Sequence, residues 1–157
     1  MTGKLTFTEF TKIDQIGVVV RDMDKAMEYY ESLGTGPFEP FKHNDCVERS
    51  MWGRPIVLDS VKMKTMLAKM GPVELELIEP VEGESIWKEF LETKGEGIHH
   101  LCFFVDDIDK EEANLAGKGF TFLYRSRFTN GDGAVYIDSG KVGGLLIEFS
   151  QRGPEYR

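Results

Sequence analysis

Gln15-Ile-Gly-Val-Val-Val-Arg-Asp-Met-Asp24 and His100-Leu-Cys-Phe-Phe-Val-Asp-Asp-Ile-Asp109 are two copies of one pattern, 85 positions apart. Each copy runs from an apolar strand into an aspartate that can cap a helix. The same offset carries Gly34, a residue suited to end the first helix, onto Gly119. A duplicated structural unit explains this repeat, and the fold prediction starts from it.

Apolar periodicity and turn residues predict the remaining elements. The predicted strands are Val61–Ala68, Val73–Glu79, Phe120–Arg127, Ala134–Asp138 and Leu145–Ser150; a surface helix is predicted near Ile108–Lys118 and a linker helix at Ser85–Lys94. The segment 36–55 matches no pattern. Its aromatic residues suggest a loop that shapes a pocket, although core packing explains these residues equally well.

The predicted fold is α+β, with two βαβββ modules forming one curved, mostly antiparallel sheet around a cleft. We expect a single domain over residues 12–151, with module 1 at about 12–80, the linker helix at about 85–94 and module 2 at about 98–150. A duplication without functional meaning would explain the repeat equally well. It would not explain the polar residues described below.

Charge and cysteine content exclude several classes of protein. The net charge of -8 argues against a nucleic-acid partner, and an anionic substrate would need a locally positive pocket. No apolar run approaches the roughly 20 residues that cross a bilayer, so no membrane association is expected. Cys46 and Cys102 lie far apart and outside metal-ligand spacings, which favours reduced thiols and a cytoplasmic location.

Four polar side chains stand at strand positions where apolar residues are usual. Gln15 and His100 are equivalent in the two copies, while Glu76 and Glu148 lie on the last strand of their halves. A buried carboxylate is costly to ionise unless it is paired with a cation or bound to a metal. These four residues are therefore candidates to converge on a divalent cation.

The donor set suits several metals and one kind of chemistry. An imidazole, two carboxylates and an amide oxygen are compatible with Mg, Mn, Co, Ni, Fe(II) or Zn. Two positions of an octahedral site would remain for two adjacent substrate oxygens, so that the metal polarises a carbonyl. The alternatives are ordinary ones: His100 as a hydrogen-bonded core residue beside a surface His99, and Glu74 and Glu76 facing solvent.

Five strings carry a family resemblance when they are taken together. They are Lys12-Ile-Asp-Gln-Ile-Gly17, Val73-Glu-Leu-Glu-Leu-Ile-Glu-Pro80, Gly95-Glu-Gly-Ile-His-His-Leu101, Phe104-Val-Asp-Asp-Ile-Asp109 and Gly144-Leu-Leu-Ile-Glu148. The chain resembles the vicinal oxygen chelate superfamily, which includes glyoxalase I and extradiol dioxygenases, and is most similar to methylmalonyl-CoA epimerase-like proteins.

The resemblance implies a metal bound by four residues: Gln15, Glu76, His100 and Glu148. The family usually has His at the first position, so Gln15 is a departure, and it makes dioxygenase chemistry less favoured. A further epimerase glutamate aligns near Lys64 or Thr65, where this chain has no carboxylate. That absence puts a two-base epimerase mechanism in doubt.

The function expected from the residues and the resemblance together is proton transfer at a carbon next to a carbonyl. Glu148 is the leading candidate for the general base and Glu76 the second. The resemblance implies a metal-dependent isomerase or epimerase that acts on a small molecule, with an acyl-CoA thioester as the suggested substrate, and a homodimer. A glyoxalase-type lyase and a non-catalytic binding protein of the same fold are the alternatives.

Overall fold

The structure, a computed structural model, describes residues 12–138 and 143–153. Ten strands and three α-helices follow one another along these residues. They are β1 (Gln15–Val19), α1 (Met23–Ser32), β2 (Glu39–Pro40), β3 (Cys46–Met51), β4 (Arg54–Pro55), β5 (Lys62–Met70), β6 (Val73–Glu82), α2 (Ile86–Lys94), β7 (Gly97–Phe104), α3 (Ile108–Gly117), β8 (Phe122–Phe128), β9 (Gly133–Ile137) and β10 (Leu146–Gln151). A short 3-10 helix, Leu58–Ser60, precedes β5. None of the three α-helices in these ranges is long and apolar enough to cross a membrane.

The duplicated strand–helix units begin and end alike. The side chain of Asp22 caps α1 by accepting a hydrogen bond from the Lys25 amide, and Asp107 caps α3 in the same way from Lys110. Just beyond the two helices, Gly34 and Gly119 adopt positive φ values of 93° and 86°. Residues with a β-carbon rarely adopt this backbone conformation, so glycine ends both helices as predicted.

All ten strands form one sheet in the order β2-β5-β6-β1-β7-β10-β9-β8-β3-β4. The pairs β1–β6 and β7–β10 are parallel, and the other pairs are antiparallel. The first strands of the two modules, β1 and β7, meet at the centre of the sheet. The α+β fold with two related modules in one curved, mostly antiparallel sheet is thereby confirmed.

The two faces of the sheet are covered by different helices. On the outer face, α1 packs Met23 against Val18 and Leu77, and α3 packs Ile108 and Leu115 against β9 and β10. On the inner face, α2 adds Ile86 and Trp87 to a cluster that includes Tyr124 and Tyr136. The inner face therefore has an apolar base beside which polar side chains are held.

The segment 36–55, expected to be a loop, forms three of the strands. β2 pairs with β5 at one edge of the first module, whereas β3 pairs with β8 at the far edge of the second module. Residues 41–45 connect β2 to β3, so this short segment crosses the opening between the two edges. The cleft predicted from the repeat is consequently a cup whose mouth is spanned by the chain.

Candidate metal centre

Strand pairing brings the predicted residues onto the inner face in two adjacent rows. Across β6, β1, β7 and β10, one row reads Glu76, Gly17, His100 and Leu146, and the next reads Glu74, Gln15, Cys102 and Glu148. Glu76 pairs with Gly17, and Glu148 pairs with Cys102. Cys102 is the counterpart of Gly17 in the second copy of the repeat, 85 residues later. The symmetry of the repeat therefore places Glu76 and Glu148 on opposite sides of the central strands.

Three of the predicted ligands form a compact, buried group. One ligand atom from each of Glu76, His100 and Glu148 lies within 4.8 Å of the others. His100 Nε2 is 2.9 Å from Glu148 Oε2 and 3.2 Å from Glu76 Oε2. The imidazole is 0% exposed, and Glu76 and Glu148 are 7% and 6% exposed. The expectation that a strand glutamate here faces solvent is therefore wrong for Glu76, and it is wrong for Glu74 also, which is buried.

Gly17 provides the space that the His100 ring occupies. A β-carbon at position 17 would lie 2.0 Å from His100 Cε1 and 2.3 Å from Nε2. Such distances are shorter than any non-bonded contact, so a larger residue would displace the ring. The glycine in the first string of the family resemblance thus has a direct role in shaping the site.

His99, which was expected at the surface, is instead a buried neighbour of His100. The register between β1 and β7 shifts here, because Gly17 pairs with His100 and Val18 pairs with Ile98. His99 is the extra residue of a β-bulge, and a bulge redirects side chains that would otherwise alternate. The His99 ring is 1% exposed and packs against Trp87 and Phe90. Alternation along an ideal strand gave no signal for this arrangement.

The two imidazoles are joined in a way that determines which nitrogen of His100 faces the carboxylates. His99 Nδ1 and His100 Nδ1 are 3.1 Å apart. Burial, with the neighbouring His100 ring, lowers the pKa of His99 to about 3, and His99 also hydrogen-bonds the backbone of Ile86. A neutral His99 that donates to Ile86 must accept from His100 through Nδ1. The remaining nitrogen of His100, Nε2, is therefore directed at Glu76 and Glu148.

The charge state of His100 follows from its two acidic neighbours. Burial lowers its pKa, but the charges of Glu148 and Glu76 outweigh burial and raise the pKa to about 9. At neutral pH a proton therefore occupies the position between Nε2 and the carboxylates when no metal is bound. Nε2 and Glu148 Oε2 are close, yet neither atom makes a hydrogen bond of acceptable geometry among the described residues. A cation bound at this position would satisfy both atoms.

Gln15 lies beside this group, but its amide nitrogen bonds elsewhere. Gln15 Nε2 donates to Glu74 Oε1 at 2.6 Å, and the same oxygen accepts from Arg152 Nη1 at 2.8 Å. Gln15 pairs with Glu74, whereas its counterpart His100 pairs with the apolar Leu146. Gln15 and His100 therefore differ in their contacts. Gln15 Oε1 is buried and has no hydrogen-bond partner among the described residues, so this oxygen is available to a cation.

These donors fit a divalent cation. One neutral imidazole nitrogen and two carboxylates would hold the metal, and their combined charge would offset its own. The unpartnered atoms Gln15 Oε1, His100 Nε2 and Glu148 Oε2 are buried polar atoms that coordination would satisfy. Strand pairing places Gln15 beside the Glu76–His100–Glu148 group, and its role as the fourth ligand remains a prediction.

The carboxylates of this group open onto a cavity of about 510 Å³ inside the cup. Tyr136 and Thr65 also line its wall. Burial and the charges of Glu148 and Glu76 raise the pKa of Tyr136 well above its usual value, so its phenol stays protonated. Lys64 is not a lining residue and pairs instead with Glu79 at 3.6 Å. β5 therefore presents a hydroxyl, and no carboxylate, where a second base was sought.

The fold is that of a known class of proteins. A family profile described as the Glyoxalase/Bleomycin resistance protein/Dioxygenase superfamily matches residues 14–137. The match includes most of both modules, and the chain belongs to this superfamily. Divalent metals are used by members of the superfamily, in agreement with the buried Glu76–His100–Glu148 group.

More specific similarities connect the chain with one enzyme and one uncharacterized protein. The uncharacterized protein YqjC of Bacillus subtilis is 28% identical over 143 residues, which cover 89% of this chain and 91% of the relative. The mitochondrial methylmalonyl-CoA epimerase of Bos taurus is 24% identical over 143 residues, covering 89% and 74% of the two chains.

Two solved structures resemble this chain over most of its length. The methylmalonyl-CoA epimerase of Mycobacterium tuberculosis superimposes with a TM-score of 0.66 and 26% identity, covering 92% of this chain and 90% of the other. A Streptomyces coelicolor methylmalonyl-CoA epimerase variant, in complex with 2-nitronate-propionyl-CoA, gives a TM-score of 0.70 and 25% identity, covering 92% and 96%.

Proposed function

We propose that this protein is a metal-dependent isomerase or epimerase that moves a proton at a carbon next to a carbonyl group. The observation that carries the proposal is the buried Glu76–His100–Glu148 group, whose carboxylates line the cavity. A divalent cation bound there would polarise the carbonyl of a substrate and stabilise the enolate that proton removal creates. The protein residues would position the substrate and transfer the proton.

Glu148 and Glu76 are the proposed bases. Their Oε2 atoms lie on two sides of His100 Nε2, at 2.9 and 3.2 Å, so they approach the metal centre from different strands. A carboxylate on one side of the substrate can remove a proton that a carboxylic acid on the other side returns. Such an arrangement supports proton transfer without a carboxylate on β5, where Thr65 lines the cavity.

The substrate class is proposed from the cavity and from the relatives. A volume of about 510 Å³ accommodates a small molecule, within the usual range for ligand sites. The neighbouring Streptomyces coelicolor enzyme was solved with an acyl-CoA-type ligand, which favours an acyl-CoA thioester whose acyl part enters the cup. Homodimer formation, expected from the resemblance, remains a prediction that light scattering can check.

A non-catalytic binding protein is the second candidate, favoured by the missing carboxylate on β5. Deuterium incorporation distinguishes it from an enzyme, because a protein that only sequesters its ligand exchanges no carbon-bound proton. Metal-loaded protein would be incubated in D2O with methylmalonyl-CoA and with simple 2-oxo acids, and exchange followed by NMR. Exchange that is faster than with metal alone supports the enzyme; its absence for every compound supports the binding protein.

Glu148→Gln tests the assigned base. The amide can still ligate through oxygen but cannot accept the proton, so exchange should fall by about 10²- to 10⁴-fold. Glu82→Gln, on the exposed end of the same sheet, is the matched control and should exchange normally. Metal content must be measured in each variant, because exchange lost together with the metal would show a ligand rather than a base.

A further inference from the structure

Arg49 lies on the inner wall of the cup, on the side away from the metal centre. From Glu148 the inner-face row runs through Tyr136 and Tyr124 to Met51 on β3. The adjacent row runs from Ser150 to Arg49 in the same way, and Arg49 lines the cavity that Glu148 also lines. Three strand spacings separate Arg49 from Glu148, about 14 Å along the sheet and less across the curve of the cup.

The Arg49 guanidinium has no acidic partner among the described residues. Arg125, Arg127 and Arg152 each form an ion pair with at least one carboxylate, whereas Arg49 forms none. Its Nε atom is buried and has no hydrogen-bond acceptor within the part of the chain that the structure describes. Acidic residues exceed basic ones by eight in this chain, so a carboxylate would be easy to supply. A partly buried arginine donor without an acceptor indicates an oxygen supplied from elsewhere.

A second donor, Tyr124, lines the same cavity and pairs with Met51, two residues from Arg49 along β3. The Arg49 charge acts on the hydroxyl of Tyr124, which also hydrogen-bonds Ser126. Burial nevertheless raises the pKa of Tyr124, so the phenol keeps its proton at neutral pH. The planar fork of a guanidinium, with a phenol beside it, matches the oxygens of a carboxylate or a phosphate. Two hydrogen-bond donors thus line the cavity on β3 and β8, away from the carboxylates of the metal centre on β6 and β10.

We propose that Arg49, assisted by Tyr124, binds an oxyanion group of the substrate whose carbonyl end binds at the metal centre. The inference rests on the proposed function, because it concerns the same cavity. It defines the substrate class as a metal-chelating carbonyl compound that carries a carboxylate or phosphate several bonds from the reacting carbon. This is the locally positive pocket that an anionic substrate of such an acidic protein requires.

The side-chain Nε–H resonance of Arg49 tests the inference directly. It would be assigned by its loss in Arg49→Gln and followed while glutarate, as a carboxylate probe, or methyl phosphate is added to the metal-loaded protein. A saturable shift with one probe supports the site and identifies the group it prefers. No shift with either probe overturns the inference. Arg54→Gln, on the adjacent exposed strand β4, is the matched control and should leave the resonance and its titration unchanged.

Affinities of matched 2-oxo acids give the second test. 2-Oxoglutarate and 2-oxoadipate should bind metal-loaded protein about 10- to 100-fold more tightly than 2-oxopentanoate and 2-oxohexanoate, because a charge-assisted pair is added. Arg49→Gln should remove this preference and leave the monocarboxylates unaffected. Equal affinities in the wild-type protein would overturn the inference even if the variant did not fold. Failure of all four acids to bind would count against the proposed metal chemistry instead, and the Nε–H titration would still decide the role of Arg49.

Discussion

Raising the pH should lower the free energy of unfolding of the metal-free protein, because one residue, His100, loses its proton. Its pKa is about 9 in the folded protein because Glu148 and Glu76 outweigh the effect of burial. In the unfolded chain an imidazole has a pKa of about 6.5. The stabilisation that results is fully present below the unfolded value and is lost as the pH rises through the folded value.

The size of the effect follows from these two pKa values. Between pH 7 and pH 10 the linkage relation gives a loss of about 2 to 3 kcal/mol in the free energy of unfolding. His99 does not mask it, because burial lowers the pKa of His99 to about 3. A neutral His99 contributes stability above the unfolded value near 6.5 and loses it only as the pH falls, outside this window.

Urea denaturation at pH 7, 8, 9 and 10, in the presence of a chelator, measures the effect. His100→Gln is the control, because it retains the other titrating groups and lacks the imidazole. The wild-type protein should lose about 2 to 3 kcal/mol more than the variant over this range. Bound metal should abolish the difference, since it takes the place of the proton. Parallel curves for the wild type and the variant without metal would show that His100 is not charged between the two carboxylates.

Three further predictions concern the same centre. Gly17→Ala would place a β-carbon 2.0 Å from His100 Cε1, so the affinity for zinc or nickel should fall at least about tenfold. Gly117→Ala is the control and should bind metal normally, because a β-carbon there would meet no atom within 4 Å. His99→Ala removes the partner of His100 Nδ1 and should weaken metal binding by about 10- to 100-fold, as competition with a chelating dye would measure; unchanged affinity would refute the positioning role. Saturation with metal at 100 times its Kd should raise the free energy of unfolding by about 2.7 kcal/mol, and a Glu76→Ala, His100→Ala double variant should show neither this gain nor bound metal by elemental analysis.

The sequence repeat predicts the centre of the fold because the repeat is carried by local patterns. Equivalent strands in the two copies, each followed by an aspartate cap and a glycine stop, determine where β1 and β7 lie. Period-two alternation then places Glu76, His100 and Glu148 on one face. These residues meet in the structure because β6, β7 and β10 lie close together in the sheet, with only β1 between β6 and β7, a consequence of the repeat itself.

Non-local pairing and side-chain contacts are the parts that sequence patterns miss. His99 is buried because a single bulge interrupts the alternation, and nothing in Ile98-His-His100 indicates where the extra residue falls. The amide nitrogen of Gln15 donates a hydrogen bond to Glu74. The only sign of this contact in the sequence is that the acidic Glu74 replaces the apolar Leu146 of the other module. The strand β3 was missed because its partner, β8, belongs to the opposite half of the chain.

The chain that spans the mouth of the cup also determines the order in which the protein can assemble. β3 is synthesised before any residue of its partner β8, so the backbone donors and acceptors on the edge of β3 that faces β8 remain unpaired while the second module is made. An unpaired strand edge can pair with another chain and aggregate, and adjacent charged residues such as Glu48 and Arg49 oppose this pairing. Because β3 and β8 are far apart in the sequence, their pairing requires closure of a long loop. We therefore expect β3 and β8 to pair late in folding. The ligand cavity is therefore completed only when the second module is already in place.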